Sequence, residues 1–278
     1  MPSCLENISD THLNRLLYIL SQSYKIDLVD MTPTFTRILL EDFMDDFSLK
    51  TFEELRDKIE TSEFWQDKLL DHLMVPDTEL LRDPSFWRYL RDVLLPAFKS
   101  NIRVFFPELN SGEELYSFLI ALHESDVNYE CDVDVYSTNE KKLNLIKNGF
   151  VFAKNFSLNS DNYNRFQGSK NVETYFDFSN GKAYLKPKFY LKTMFYLSSW
   201  QDIQPKEIYD LVIYRNKLLL FNDNFHAHAV NKIHTILKNK SFLAIGINET
   251  LDISAAKFKF TEHHFAEKIF KKRTFDGL

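Results

Sequence analysis

The sequence predicts an α/β protein in two parts. An all-helical N-terminal domain covers residues 1–75, and a doubly wound sheet domain covers residues 76–278, with a small antiparallel β insertion at about 152–192. Three observations predict it. Apolar residues recur at helical spacing through the first 75 residues, and no strand pattern precedes about residue 100. Beyond that point compact apolar runs alternate with helical stretches, and such alternation means parallel pairing through right-handed crossovers. Between residues 150 and 195 the alternation gives way to aromatic pieces of two-residue period, separated by Asn, Ser and Gly.

The elements follow in order. In THLNRLLYILSQ, Leu13, Leu16, Leu17 and Leu20 line one helix face, and Phe35, Ile38, Leu39 and Phe43 do the same in TPTFTRILLEDFMDDF. Thr51-Phe-Glu-Glu54 has capping-box spacing and opens another helix. Asp83-Pro84 reads as an N-cap followed by proline in the first turn, opening SFWRYLRDVLLPAF. Then come a buried strand (102–106), a helix (114–125), a strand (132–137) and a helix (140–149) ended by Gly149. After the insertion the pattern resumes with a strand (209–214), a helix (224–240) and a strand (241–247). Within the insertion, ETYFDFS and KAYLKPKFYL read as strands around Asn180-Gly181, a hairpin signal.

Composition excludes several classes. Only 6 of 278 residues are glycine, well under the roughly 7% of average proteins. No two lie within ten residues of each other, so Walker-type loops and the full G-x-G-x-x-G fingerprint are absent. The net charge of −6 offers no basic surplus for nucleic acid or an anionic membrane. Cys4 and Cys131 cannot build a zinc knuckle or a disulfide framework. The start MPSCLENISD lacks the pattern of a signal peptide, and no apolar run reaches the length of a membrane span, so a cytoplasmic protein is expected. His226 and His228 point apart on a helix, and His263-His264 have no Cys or acidic partner at ligand spacing, so no metal is expected.

In an open α/β sheet, ligands bind beyond the carboxyl ends of the strands. The first strand-to-helix turn reads PELNSGEELYS, residues 107–117. Amides at a helix N-terminus there suit an anionic or polar group. Ser111-Gly-Glu-Glu114 also has capping-box spacing, so from these residues alone both readings stand.

The longer stretch NIRVFFPELNSGEELYSFLIAL resembles the first strand, loop and helix of the CheR-type chemotaxis receptor methyltransferases. That loop in the family runs small-Gly-Cys-Ser-Thr-Gly-Glu-Glu-Pro-Tyr-Ser. Three more segments fall in the family's order. DTELLRDPSFW (77–87) resembles its Thr-x-Phe-Phe-Arg-Asp. YDLVIYRNKLLLFN (209–222) resembles its Phe-Asp-x-Ile-x-Cys-Arg-Asn-Val-x-Ile-Tyr-Phe. IGINETL (245–251) resembles its Gly-His-Ser-Glu-Ser-Leu. The resemblance covers nearly the whole chain. It implies a Rossmann-like methyltransferase domain that moves a methyl group from S-adenosylmethionine to glutamate side chains of chemoreceptors. Arg82 and Arg215 are the catalytic candidates it implies, since a guanidinium pairs with a carboxylate bidentately. Thr78, Glu108, Gly112, Glu113, Glu114, Ser137 and Asn216 fall at its cofactor-binding positions. The implied partner is a protein, a chemoreceptor or its C-terminal peptide, docked through the insertion, with neither nucleic acid nor membrane insertion involved.

The chain departs from the family in specific places. Small-Gly-Cys becomes Pro107-Glu108-Leu109, which replaces a glycine at the cofactor with bulk and charge. The ribose-binding acid that ends the second strand of such folds aligns with Ser137. The family's Asn-Leu falls near Tyr196-Leu197, its tyrosine at Leu220, and its two phenylalanines at Leu80 and Leu81. The second helix, RILLEDFMDDF, is acidic where the family offers a basic face to acidic receptor helices. These departures support an alternative reading: a non-catalytic, CheR-like interaction module that carries no cofactor.

Overall fold

The computed structural model describes residues 9–24, 30–73, 79–152, 156–190, 192–204, 206, 208–251 and 258–274. The chain divides into two compact units, Met1–Val75 with Leu218–His226, and Pro76–Lys217 with Ala227–Leu278.

The first unit holds helices α1 (Asp10–Tyr24), α2 (Pro33–Asp46), α3 (Phe52–Thr61) and α4 (Glu63–Leu73). The apolar stripes read from the sequence form its core: Leu13, Leu16, Leu17, Leu20, Leu40 and Phe43 are buried. Ile38, expected in the stripe, is 49% exposed, and Leu40 takes the inward place. Thr51 caps α3 by accepting from the Glu54 N–H at 3.2 Å, and the Glu54 carboxylate reaches back to the Lys50 N–H. The Leu218–His226 segment joins this unit through an Asn222 N–H to Asp30 carbonyl bond of 2.8 Å and a Thr32 N–H to Leu220 carbonyl bond of 2.9 Å.

The second unit opens with α5 (Pro84–Tyr89), a π turn (Leu90–Leu94) and α6 (Leu95–Ala97). One uninterrupted helix was the expectation here. Pro96 brings no N–H to the ladder, and the preceding turn widens so that the Leu95 N–H reaches the Leu90 carbonyl. The sheet follows: β1 (Ile102–Phe106), α7 (Glu113–Glu124), β2 (Cys131–Ser137), α8 (Glu140–Lys147), β3 (Phe150–Phe152), α9 (Phe156–Phe166), β4 (Phe176–Ser179), β5 (Lys182–Leu185), β6 (Lys192–Leu197), β7 (Tyr209–Ile213), α10 (Asp223–Ile236), β8 (Leu237–Ala244), β9 (Phe260–His264) and β10 (Ile269–Lys272).

The main sheet runs β6-β2-β1-β7-β8-β10-β9. Its first five strands are parallel, and β10 and β9 add an antiparallel edge. Chain order leaves β1 in both directions, so the topological switch point lies between β1 and β7. A separate antiparallel sheet, β3-β5-β4, forms the insertion, with Asn180-Gly181 turning β4 into β5. Two features differ from the sequence reading there. Helix α9 occupies part of the stretch read as β, and β6, which begins where the expected insertion ends, is an edge strand of the main sheet that the sequence reading does not assign. Later, α10 ends at Ile236 and Leu237–Lys240 join β8, with a register shift against β7 between Tyr209 and Leu211 absorbing the extra residues.

Helix α7 ends in a closed polar network. The buried Glu124 carboxylate accepts hydrogen bonds from the Tyr175 hydroxyl (2.7 Å), the Ser169 N–H (2.9 Å) and the Tyr163 hydroxyl, with Arg91 at 3.5 Å. Burial and this carboxylate push the Tyr163 hydroxyl up to about 12. The network ties α7 to α9 and to the start of the insertion.

Candidate functional site

The carboxyl ends of β1, β2, β7 and β8 meet around the switch point. From β1 the chain bends at Pro107 and passes through Glu108 to Leu109, whose N–H donates to the Tyr136 carbonyl at 3.0 Å and so sets Leu109 opposite Ser137, one residue out of the register in which Phe106 pairs with Val135. Gly112, not Ser111, stands at the N-cap of α7, and no side chain caps it. The capping-box reading of Ser111–Glu114 is corrected accordingly. The Tyr116 ring folds over Gly112 so closely that a Cβ there would lie 2.0 Å from it, and the Tyr116 hydroxyl anchors to the Ile146 carbonyl at 2.9 Å. Glu113 and Glu114 are buried in the first turn of α7, where the helix dipole favours negative charge.

Ser137 ends β2, buried, its hydroxyl accepting from the Asn139 N–H at 3.3 Å. Asp134, the nearest acid on that strand, is committed elsewhere: Arg103 lies 2.6 Å away and the Tyr209 hydroxyl donates to it at 2.8 Å. Beyond β7, Arg215 is 1% exposed. Its guanidinium pairs with Asp83 at 2.6 Å, lies 4.0 Å from Glu114 and stacks 4.1 Å from the Phe86 ring centroid. Asp83, read from the sequence as an N-cap, caps nothing with its side chain. It lies in the left-handed region and spends its carboxylate on Arg215.

Arg82 differs from Arg215. It is exposed, and among the described residues its guanidinium has no hydrogen-bond or ion-pair partner. Leu81 and Asp83 on either side have φ of 53° and 58°, a conformation that costs an L-residue free energy and recurs at functional sites. The loop is pinned by the Ser117 hydroxyl, which accepts from the Leu81 N–H at 2.7 Å, and by Asn159, which accepts from the Leu80 N–H at 2.9 Å. Thr78 lies outside the described residues.

Asn216, at φ 56°, is clamped by an acid that sequence reasoning did not single out. The buried Glu249 carboxylate accepts from the Asn216 N–H at 2.9 Å and from the Gly246 N–H at 2.5 Å. Gly246 permits the approach: a Cβ there would lie 2.3 Å from the Asn216 side-chain oxygen. The signal was present in IGINETL, whose glutamate falls on the family's Gly-His-Ser-Glu-Ser-Leu pattern.

Three of these strand ends leave polar atoms unmatched. Buried without a hydrogen-bond partner among the described residues are Asn110 Oδ1 after β1, Thr138 Oγ1 after β2, and the Tyr214 hydroxyl and Arg215 Nε after β7. Such atoms cost free energy unless a ligand or water meets them. Glu108 is half-buried beside them; burial pushes its carboxyl up, while Lys217 and Lys142 act in the opposite direction. Burial, then the charges of Glu108 and Glu249, push the Tyr214 hydroxyl well up. A cavity of about 680 Å³ lies at the other end of the sheet, lined by Leu119, Leu122, His123, Tyr129, Phe189 and Tyr190 among others. It includes no helix N-terminus and none of the residues above.

A family model described as CheR methyltransferase, SAM binding domain, matches residues 76–266. The chain belongs to the CheR methyltransferase family. A Pseudomonas putida protein named provisionally as methyltransferase Cher3 is 23% identical over 269 residues, spanning 96% of this chain and 98% of its own. The chemotaxis protein methyltransferase of Borreliella burgdorferi is 23% identical, spanning 88% of this chain and 90% of its own. Among solved structures, the N-methyltransferase NodS of Bradyrhizobium japonicum, in complex with S-adenosylhomocysteine, aligns with a TM-score of 0.39 at 10% identity over 69% of this chain and 86% of that one.

The unmatched polar atoms at three strand ends fit an elongated polar cofactor such as S-adenosylmethionine better than they fit a closed core. Among the described residues no group of three or more His, Cys, Asp or Glu side chains gathers to hold a metal, and no helix is long and apolar enough to cross a membrane.

Proposed function

We propose that the protein is an S-adenosylmethionine-dependent protein-glutamate O-methyltransferase of a chemotaxis-type signalling system, with a rearranged cofactor site. The observation that carries the reading is the set of unmatched buried polar atoms of Asn110, Thr138, Tyr214 and Arg215, one group after each of three adjoining strands of a CheR-family domain.

When bound, the cofactor supplies an electrophilic methyl carbon. A glutamate acceptor is already ionised near neutral pH, so the protein needs no base to generate the nucleophile. What remains is positioning in a site shielded from water. Arg82, exposed on a strained loop and without a partner for its guanidinium among the described residues, is the group that holds the acceptor carboxylate in this reading. Arg215 is a positioning residue: buried and paired to Asp83, it fixes the carboxyl end of that loop against β7. Glu249 holds Asn216 in its left-handed conformation.

The protein partner belongs to the proposal as well. Strands β3 and β4 are the edges of the insertion sheet, and β4 presents Phe178, 51% exposed, so an extended receptor peptide can add as a further strand. On α2, Asp42, Asp45 and Asp46 are exposed, which suits a partner with a basic patch rather than acidic receptor helices. A second reading, the non-catalytic module without cofactor, is favoured by one observation, Glu108 where the family has glycine.

The test is transfer of labelled methyl from S-adenosylmethionine to a receptor cytoplasmic fragment, read as base-labile label. Transfer is expected, with Arg82→Ala raising KM for the acceptor more than it lowers kcat. Absence of label from a protein that binds S-adenosylhomocysteine would overturn the transferase reading.

A further inference from the structure

We propose that the cavity at the amino ends of the strands is a binding site for a small organic acid, one with an apolar body and a single negative charge. Its volume is about 680 Å³, and small-molecule sites run from roughly 300 to 1,000 Å³. Three parts of the sheet domain wall it: the C-terminal half of α7, the start of β2 with the loop before it, and the chain that joins β5 to β6.

The walls decide what body fits. Leu119, Leu122 and Phe189 bring buried apolar side chains to the cavity, and Val127 adds a half-buried one. Tyr129 and Tyr190 also line it, but their hydroxyls already donate elsewhere, to the Leu95 carbonyl at 2.8 Å and the Ile146 carbonyl at 2.5 Å. What they offer a ligand is ring surface. Ser125 likewise spends its hydroxyl on the Leu122 carbonyl at 2.7 Å. Walls of this kind suit an aromatic or aliphatic group and leave the hydroxyls of a sugar unmatched.

The charges decide what head group fits. Lys192 and Glu130 neutralise each other at 2.6 Å. His123 stands edge-on to Phe189, ring centroids 4.9 Å apart. Burial first, then Lys170 and Lys188, lower its pKa against the opposing charge of Glu124, so the imidazole is neutral at neutral pH. Lys188 is left over. It is exposed, has no carboxylate partner among the described residues, and holds its ammonium 5.0 Å from the Phe189 ring centroid, beside the apolar wall. The Leu122 carbonyl at the end of α7, which would otherwise favour a cation, is already met by the Ser125 N–H and hydroxyl. One uncompensated cation beside an apolar cavity matches one carboxylate on an apolar body.

Calorimetry with three probes of one shape tests this. 2-Naphthylacetate, 2-naphthylacetamide and 2-(2-naphthyl)ethylamine are titrated into the full chain, Lys188→Gln and Val127→Trp, with no cofactor present, so the result is independent of the transferase reading. The acid is expected to bind at one site, the amide roughly 2- to 5-fold more weakly, the worth of a contact with an exposed ammonium, and the amine more weakly still. Lys188→Gln should lower the acid to the affinity of the amide and leave the amide unchanged, a pattern that a folding defect does not produce. Val127→Trp, which fills the cavity from its loop, should abolish binding of all three while its thermal melt stays that of the parent. The proposal is overturned if none of the probes binds the parent, if the acid binds no more tightly than the amide, or if folded Val127→Trp binds the acid as the parent does.

Discussion

The two ends of α7 handle polar groups in opposite ways. At its C-terminal end a buried carboxylate, Glu124, receives two tyrosine hydroxyls and an N–H and has an arginine nearby. At its N-terminal end the helix has no side-chain cap, the neighbouring Glu108 feels the charges of Lys217 and Lys142, and the buried polar atoms of Asn110, Thr138, Tyr214 and Arg215 named above have no partner among the described residues. A fully satisfied network rigidifies and specifies a fold, whereas partly satisfied groups persist where a ligand completes them. One end of the helix is closed by its own partners, and the other is the end that the proposed function uses.

The contrast can be broken from either side. The largest effect is expected at the satisfied end. Glu124→Ala removes the shared acceptor of Tyr163, Tyr175 and Ser169 and leaves Arg91 without its buried neighbour. Breaking a buried charged network costs about 3–5 kcal/mol, so denaturant unfolding should report a loss of that size. A loss below about 1 kcal/mol would mean that the network is not the stabilising end.

Gly112→Ala comes next. Its Cβ would collide with the Tyr116 ring, and overpacking of this kind costs about 1–3 kcal/mol. Adding Tyr116→Ala should recover part of that cost, and a double-mutant cycle measures the coupling. Strictly additive effects would contradict the packing described here.

The smallest effect is a pH dependence at Glu108. Burial raises its folded pKa above the ordinary 4.5, so the native state holds this proton more tightly than the unfolded chain. Its contribution is fully present below the ordinary value and is lost as pH rises through the raised one. Glu108→Gln should therefore gain stability relative to the parent as pH climbs through the acidic range into neutrality. A gap between the two melting curves that stays constant with pH would contradict a buried carboxyl.

Much of this was legible in the sequence, for identifiable reasons. Helices α1 to α3 and strands β1, β2 and β7 carry apolar patterns of the correct period, and tertiary packing used those patterns as written. Helix α9 was hidden because its inward face includes Asn159 and Asn162, which are buried to hold the Leu80 backbone rather than to pack. Strand β6 was missed because KTMFYL follows directly on the aromatic insertion without a turn signal, and its partner β2 lies far back in the chain. Strands β9 and β10 are short and polar, FTEHH and IFKK, and gave no signal.

Candidate site residues could be put forward from the sequence where a short segment carries them, as with Arg82 and Gly112. It was hidden where a residue's role depends on a distant partner. Asp83 looks like a cap until Arg215, 132 residues on, is seen to hold it. Glu249 and Asn216 meet across 33 residues. The Glu124 network joins residues up to 51 apart, and no local pattern announces it.

In the proposed function, the carboxyl end of the sheet in this CheR-family domain binds S-adenosylmethionine. The most direct test is a calorimetric titration of S-adenosylhomocysteine into the intact protein at neutral pH. One site per chain with micromolar or tighter affinity is expected. No heat at millimolar ligand would contradict it and leave the protein a CheR-like module without a cofactor.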